Sequence, residues 1–172
     1  MENILIYSRS VLSTTPTRWE TMVNSMPVEL LTRAPLAGEW SAVECLLHLL
    51  DTEPIFVVRI KAILAGQDFP GFNPDKEGTK LAGSPSPLAL AQEFARLRSA
   101  SLSVMSQVSL TDLARQARHQ ELGLVTMNQL MHEWAAHDFN HTIQAERALM
   151  QPFIKGCGPW QIYFTDHQVK DK

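Results

Sequence analysis

Met127, Leu130, Trp134, His137, His141, Ala145 and Ala148 recur at intervals of three and four residues, so they trace one face of an α-helix. An apolar stripe of this period has to be covered by other elements, and that requirement constrains the fold more than any other feature of the chain. Two members of the stripe are histidines four residues apart. On a helix they stand one above the other and can direct a nitrogen each at a single point.

Other segments carry the same period. Thr15 and Pro16 have the form of an N-cap and first helical residue, which predicts a helix from there to about Asn24 with Trp19, Met22, Val23 and Met26 on one face. Pro27, Pro35 and Gly38 punctuate a connection that leaves room for one short helical piece, VELL. Ser41 and Glu44 then form a capping box for a helix reaching about Ala65, with Pro54 predicting a kink just beyond His48. AGQDFPGFNPDKEGTKLAGSPS has no period and reads as a long surface loop. Ser86 and Pro87 start a third helix running to about Val108, along which Leu90, Phe94, Leu97, Arg98, Ser101 and Met105 share a face. A shorter helical segment, LTDLARQAR, follows Ser109, and Thr126 opens the last helix, which runs to about Met150. No strand pattern persists for more than a few residues. Four principal helices predict an all-α chain, a four-helix bundle with a long crossover loop between helices 2 and 3, forming one domain over residues 1–172.

Composition removes several function classes. With 172 residues, 45% apolar and 19% charged, the chain is expected to bury a core of its own without disulfides. Its net charge of −3 and scattered Lys and Arg residues offer no footprint for a nucleic-acid backbone. Cys45 lies in an apolar run and Cys157 in a Gly-Cys-Gly turn, which is no disulfide framework. The MENILIYSRS start lacks the pattern of a secretory signal, and no window offers about 20 consecutive apolar residues, so a cytoplasmic location away from membranes is expected.

The second helix supplies the third candidate ligand. His48 shares a face with Glu44, Asp51, Thr52 and Ile55, while Leu47, Leu50 and Phe56 occupy other positions. An unpartnered polar strip in a core would cost roughly 1–3 kcal/mol per group. One divalent ion held by His48, His137 and His141 accounts for the strip, with Glu44 and Asp51 placed to orient imidazoles. The alternatives are a hydrated or salt-bridged face on the second helix and hydrogen-bonded core imidazoles on the last.

GEWSAVECLLHLLDTE, with Arg59 six residues past Glu53, and GLVTMNQLMHEWAAHDFNHTIQAERAL resemble the two signature stretches of the DinB-like superfamily of bacterial four-helix-bundle metalloproteins. The resemblance spans about residues 12–150 and includes the Trp-Ser start, the mid-helix His and the His-Asp-x-x-His run. It implies a metal triad at His48, His137 and His141 and a divalent ion such as zinc or nickel. It also implies a metalloenzyme, a hydrolase or a transferase using a low-molecular-weight thiol such as bacillithiol or mycothiol. A non-catalytic metal- or ligand-binding bundle of the stress response is the rival reading.

Three imidazoles leave an ion an open position, the mark of a catalytic site. Trp134, one turn before His137, is expected to wall the pocket and Gln144, one turn beyond His141, to contact the ligand or an imidazole. No nucleophile is marked, so the catalytic residues stay unassigned. Arg59 suits either an anionic substrate group or a structural ion pair, Trp40 is read as a core aromatic, and Cys45 as a buried thiol. His119 is expected in an exposed loop; His132 and His167 are set aside. Phe139 and Ile143 point away from the core and suggest a homodimer, unless a tail containing Pro152, Phe153, Trp160, Tyr163 and Phe164 covers them.

Overall fold

A computed structural model describes residues 3–79 and 86–169. Four long helices, α1 (Ile4–Ser25), α3 (Ala42–Ala65), α5 (Pro87–Met105) and α6 (Met127–Gly156), form a bundle with two single-turn helices, α2 (Val28–Leu31) and α4 (Pro74–Glu77). α1 and α3 each pack against both α5 and α6. The order around the bundle is therefore α1, α5, α3, α6, with the diagonals crossed by segments 26–41 and 106–126.

Local signals account for the helix ends. The Ser41 hydroxyl accepts from the Glu44 N–H while Glu44 accepts from the Ser41 N–H, the reciprocal pair that starts α3. Thr126 and Gln129 repeat the arrangement at α6. Gly66 ends α3 in the left-handed region, φ 65°, where a side chain would be strained.

Several boundaries differ from the sequence expectation. α1 begins at Ile4, capped by Asn3, so Pro16 lies inside it instead of opening it. A proline there removes the N–H that would bond to the carbonyl four residues back, that of Leu12. That carbonyl is not orphaned, because Arg98 Nη1 donates to it at 3.0 Å. α3 continues through Pro54 and α6 through Pro152, so Pro152 and Phe153 belong to the last helix and not to a tail. The segment after Ser109 forms a 3-10 turn, Leu110–Ala114, and then an antiparallel hairpin of β1 (Gln116–His119) and β2 (Gly123–Thr126). The 66–86 connection is not a bare loop over its described part: it contains α4, and Phe69, buried, pairs with β1 by donating to Arg118 O and accepting from Gln120 N–H. The rest of that expected loop, residues 80–85, lies outside the described residues.

The apolar core falls into two clusters, one around Trp19, Leu46, Leu90 and Leu149, the other around Phe56, Ile60, Met127 and Trp134. Arg98 lies between them, 4.8 Å from the Phe94 ring and 5.5 Å from the Trp134 ring, and is 1% exposed. Its Nε and Nη2 donate to Glu53 at 2.7 and 2.8 Å, and its Nη1 and Nη2 donate to Asp138 at 2.6 and 2.9 Å. With the bond to Leu12 O, all five guanidinium N–H groups are used, and all four long helices meet at one residue. Burial opposes the charge, but the bonds to Asp138 and Glu53 outweigh it and hold the arginine more firmly protonated than in water.

Among the described residues no helix is long and apolar enough to cross a membrane. Phe139 and Ile143 are 44% and 57% exposed, so the C-terminal segment does not cover them; Trp160 and Tyr163 are themselves exposed.

Removing the guanidinium strands two buried carboxylates. Arg98→Met is expected to lower the unfolding free energy by about 3–5 kcal/mol in urea titrations, and Arg98→Lys, which lacks the planar fork, is expected to recover little of it. A loss below 1 kcal/mol for Arg98→Met would show that the tie is dispensable.

Candidate metal centre

α3 presents His48 and α6 presents His137 and His141 to the same point. The Nε2 atoms of His48 and His137 are 3.1 Å apart, and one potential ligand atom from each of the three histidines lies within 4.8 Å of the others. The ring centroids are 4.4 Å apart for His48 and His141 and 4.5 Å apart for His137 and His141. Among the described residues no thiol or carboxylate joins this group.

The electrostatics favour neutral imidazoles. Burial, with His141 nearby, lowers the His48 pKa to about 4 against a slight opposing pull from Asp51. Burial and the neighbouring His141 and His48 lower that of His137 to about 3, and burial also lowers that of His141. All three are therefore deprotonated at neutral pH, the state a metal requires. His141 Nδ1 is 2.9 Å from the Gln144 side-chain oxygen, which places the proton on Nδ1 and leaves Nε2 as the free donor atom. The donor set fits a divalent ion of intermediate softness.

The surroundings of the histidines differ from expectation at several positions. Glu44 spends its carboxylate on the Ser41 backbone and hydroxyl, both 2.7 Å away, so it serves the helix cap and not an imidazole. Asp51 accepts from the Thr79 N–H and hydroxyl at 2.7 and 2.6 Å and fastens the connection that follows α4 onto α3. Trp134 is fully buried, stacked 4.8 Å behind Phe56, and it is Phe56 that lines the cavity. Trp40, expected in the core, is half-buried with its ring 5.0 Å from that of His48 and 5.9 Å from that of His141. His119 is 6% exposed instead of lying in an open loop. Cys45 is fully buried and its thiol is pushed up to about 12 by desolvation, which keeps it inert.

A cavity of about 250 Å³ reaches the three histidines and is bounded by Thr52, Phe56, Arg59, Phe72 and Glu133. Glu133 was not singled out from the sequence, although it lies four residues before His137, as His137 lies before His141; that spacing was the available signal. The residue is exposed overall, yet desolvation along the cavity raises its pKa, with Arg59 pulling the other way and Asp138 adding to the rise. The Arg98, Glu53 and Asp138 tie was also missed, and its signal was a charged residue on the apolar stripe of α5. A larger, mostly apolar groove of about 890 Å³ runs between α1 and α6 past Thr14, Met22, Leu149 and Phe153, but it contains no cluster able to hold a metal.

Comparison with known proteins agrees with the fold. Residues 12–145 match the DinB superfamily. Among solved structures the chain is similar to YfiT from Bacillus subtilis, described as a probable metal-dependent hydrolase with an unusual four-helix bundle topology, with a TM-score of 0.72, 16% identity and 87% of each chain covered. No curated protein matches.

The depressed histidines set a pH dependence. Each imidazole takes up a proton near 6.5 in the unfolded chain but only near 4 for His48 and 3 for His137 in the fold. The stability gained from keeping them neutral is therefore complete above pH 6.5 and is lost as the pH falls toward those lower values. For chelator-treated protein, the melting temperature is expected to fall more between pH 7 and 4.5 in the wild type than in a His48→Gln/His137→Gln variant. Equal falls would contradict the assignment.

Proposed function

The chain belongs to the DinB superfamily, and from that premise we propose that it is a metal-dependent enzyme of hydrolase type acting on a small molecule, with one divalent ion, zinc or nickel, held by His48, His137 and His141. The observation that carries this reading is the convergence of three neutral imidazoles on one point beside a cavity, with no fourth protein ligand among the described residues to close it. A bound ion would supply Lewis acidity and bring the pKa of water or a thiol toward neutrality.

The chain's own residues have separable roles in this scheme. Gln144 holds His141 in one tautomer, and the Trp40 and Phe56 rings flank the imidazoles and restrict water around them. Glu133, with its pKa raised, is suited to take a proton from the attacking group and return it to the leaving group. A thiol in place of water would make the same centre a thiol transferase, and a parallel screen of ester, amide and thiol-conjugation substrates separates the two.

We further propose a two-fold homodimer that covers Phe139 and Ile143, supported by their exposure on consecutive turns of α6. Light scattering is expected to give twice the chain mass; a monomer at micromolar concentration rejects the dimer.

His48→Ala and His137→Ala are expected to lose most bound metal by elemental analysis while still melting cooperatively, because the core and the Arg98 tie do not depend on the ion. Glu133→Gln should retain the metal and lower kcat by about 10²–10⁴ on whichever substrate is turned over. Stoichiometric metal in either histidine variant would refute the centre.

A further inference from the structure

The cavity beside the three histidines is one half of a longer cleft. A second cavity of about 300 Å³ shares Arg59, Phe72 and Glu133 with it and extends to Phe69, His119 and Val125. We propose that Arg59 and His119 form a carboxylate-binding subsite in this cleft, so that the substrate is a small amphipathic organic acid with its acidic end there and its reacting end at the histidines. The assignment of the reacting end rests on the metal-centre reading above; the subsite does not.

Arg59 contrasts with Arg98. Among the described residues its Nε is buried with no hydrogen-bond partner and no carboxylate forms an ion pair with it. Its guanidinium lies 5.6 Å over the Phe56 ring, and that ring meets His137 edge-on at 5.4 Å. A buried N–H left unpaired costs roughly 1–3 kcal/mol, so folding alone does not account for this arginine, whereas an oxygen of a bound anion satisfies it. Arg59 lies about three turns beyond His48 on α3, roughly 16 Å along the axis, and a helical side chain leans back toward the N-terminus. The separation from the histidines is therefore within the length of a small molecule.

His119 supplies a second donor. Its Nδ1 accepts from the Glu121 and Leu122 N–H groups at 3.1 and 3.3 Å, so the proton of the neutral ring is on Nε2. The hairpin thus fixes the tautomer that can donate to a ligand. Glu121 and Glu133 border the same space and disfavour a doubly charged group, which points to a carboxylate rather than a phosphate, and the planar carboxylate matches the guanidinium fork. Phe69, Phe72 and Val125 give the hydrocarbon part an apolar wall.

Calorimetric titration of the purified full chain with hexanoate and 1-hexanol, alongside elemental analysis, tests the subsite. Hexanoate is expected to bind and hexanol to bind at least about tenfold more weakly; Arg59→Gln should weaken hexanoate by about tenfold or more, with Arg59→Lys in between. Metal content and melting temperature should stay at wild-type values in both variants, and either variant, if folded, is sufficient for the comparison. Wild-type hexanoate affinity in Arg59→Gln, equal binding of hexanol, or affinity lost only in His137→Ala would overturn the proposal, the last because the carboxylate would then be held at the histidines. Wild-type protein that lacks metal but binds hexanoate through Arg59 would sink the metal centre and leave the subsite standing.

Discussion

Five hydrogen bonds from the Arg98 guanidinium hold the four long helices at one level of the bundle. Each of the other three contributes a different acceptor: Glu53 from α3, Asp138 from α6 and the Leu12 carbonyl from α1. That carbonyl is available because Pro16, one turn later, has no N–H to occupy it. At this point a helix defect and a buried charge compensate one another. Replacing such a cluster with hydrocarbon can leave a protein as stable, so what the cluster contributes here is registry: only one vertical alignment of the helices satisfies every donor.

The three-histidine cluster inherits that alignment. Asp138 follows His137 directly, and Glu53 lies five residues beyond His48, so the two helices whose carboxylates Arg98 holds are the two that carry the histidines. A slide of α3 against α6 by one turn, about 5.4 Å, would break the fork and carry His48 away from His137, whose nitrogens are now 3.1 Å apart. Three imidazoles with depressed pKa values therefore meet at one point, neutral and with ring nitrogens free to act as ligands.

Satisfied and unsatisfied groups are distributed unevenly. Every N–H of Arg98 has a partner, whereas among the described residues Arg59 Nε and His137 Nδ1, both bordering the cleft, have none. The Trp19 and Trp134 indole nitrogens are also unpaired but lie in the apolar core, so of these groups it is Arg59 and His137 that a ligand in the cleft can pair. The connection after α3 closes over this region through Asp51 and Thr79 and through the pairing of Phe69 with β1, which brings His119 and Phe72 to the far end of the cleft.

The sequence by itself determined the features that depend on near neighbours in the chain. The capping boxes at Ser41 and Thr126, the apolar stripe of α6 and the pairing of His137 with His141 follow from residues three or four apart, and the fold class was legible for that reason, whereas His48 entered through the polar strip of its own helix and the family resemblance. Tertiary structure decided what those neighbours could not. Thr15-Pro16 reads as a helix start until Arg98, more than 80 residues away, is seen to take the Leu12 carbonyl. Glu44 and Asp51 read as partners of His48 until Ser41 and Thr79 are seen to hold them. Strands of four residues give too short an alternation to detect, so the hairpin and the burial of His119 were hidden as well. A side chain's helical face is set by its own turn, but which group meets it across the bundle depends on packing between distant segments, and local periodicity carries no record of that.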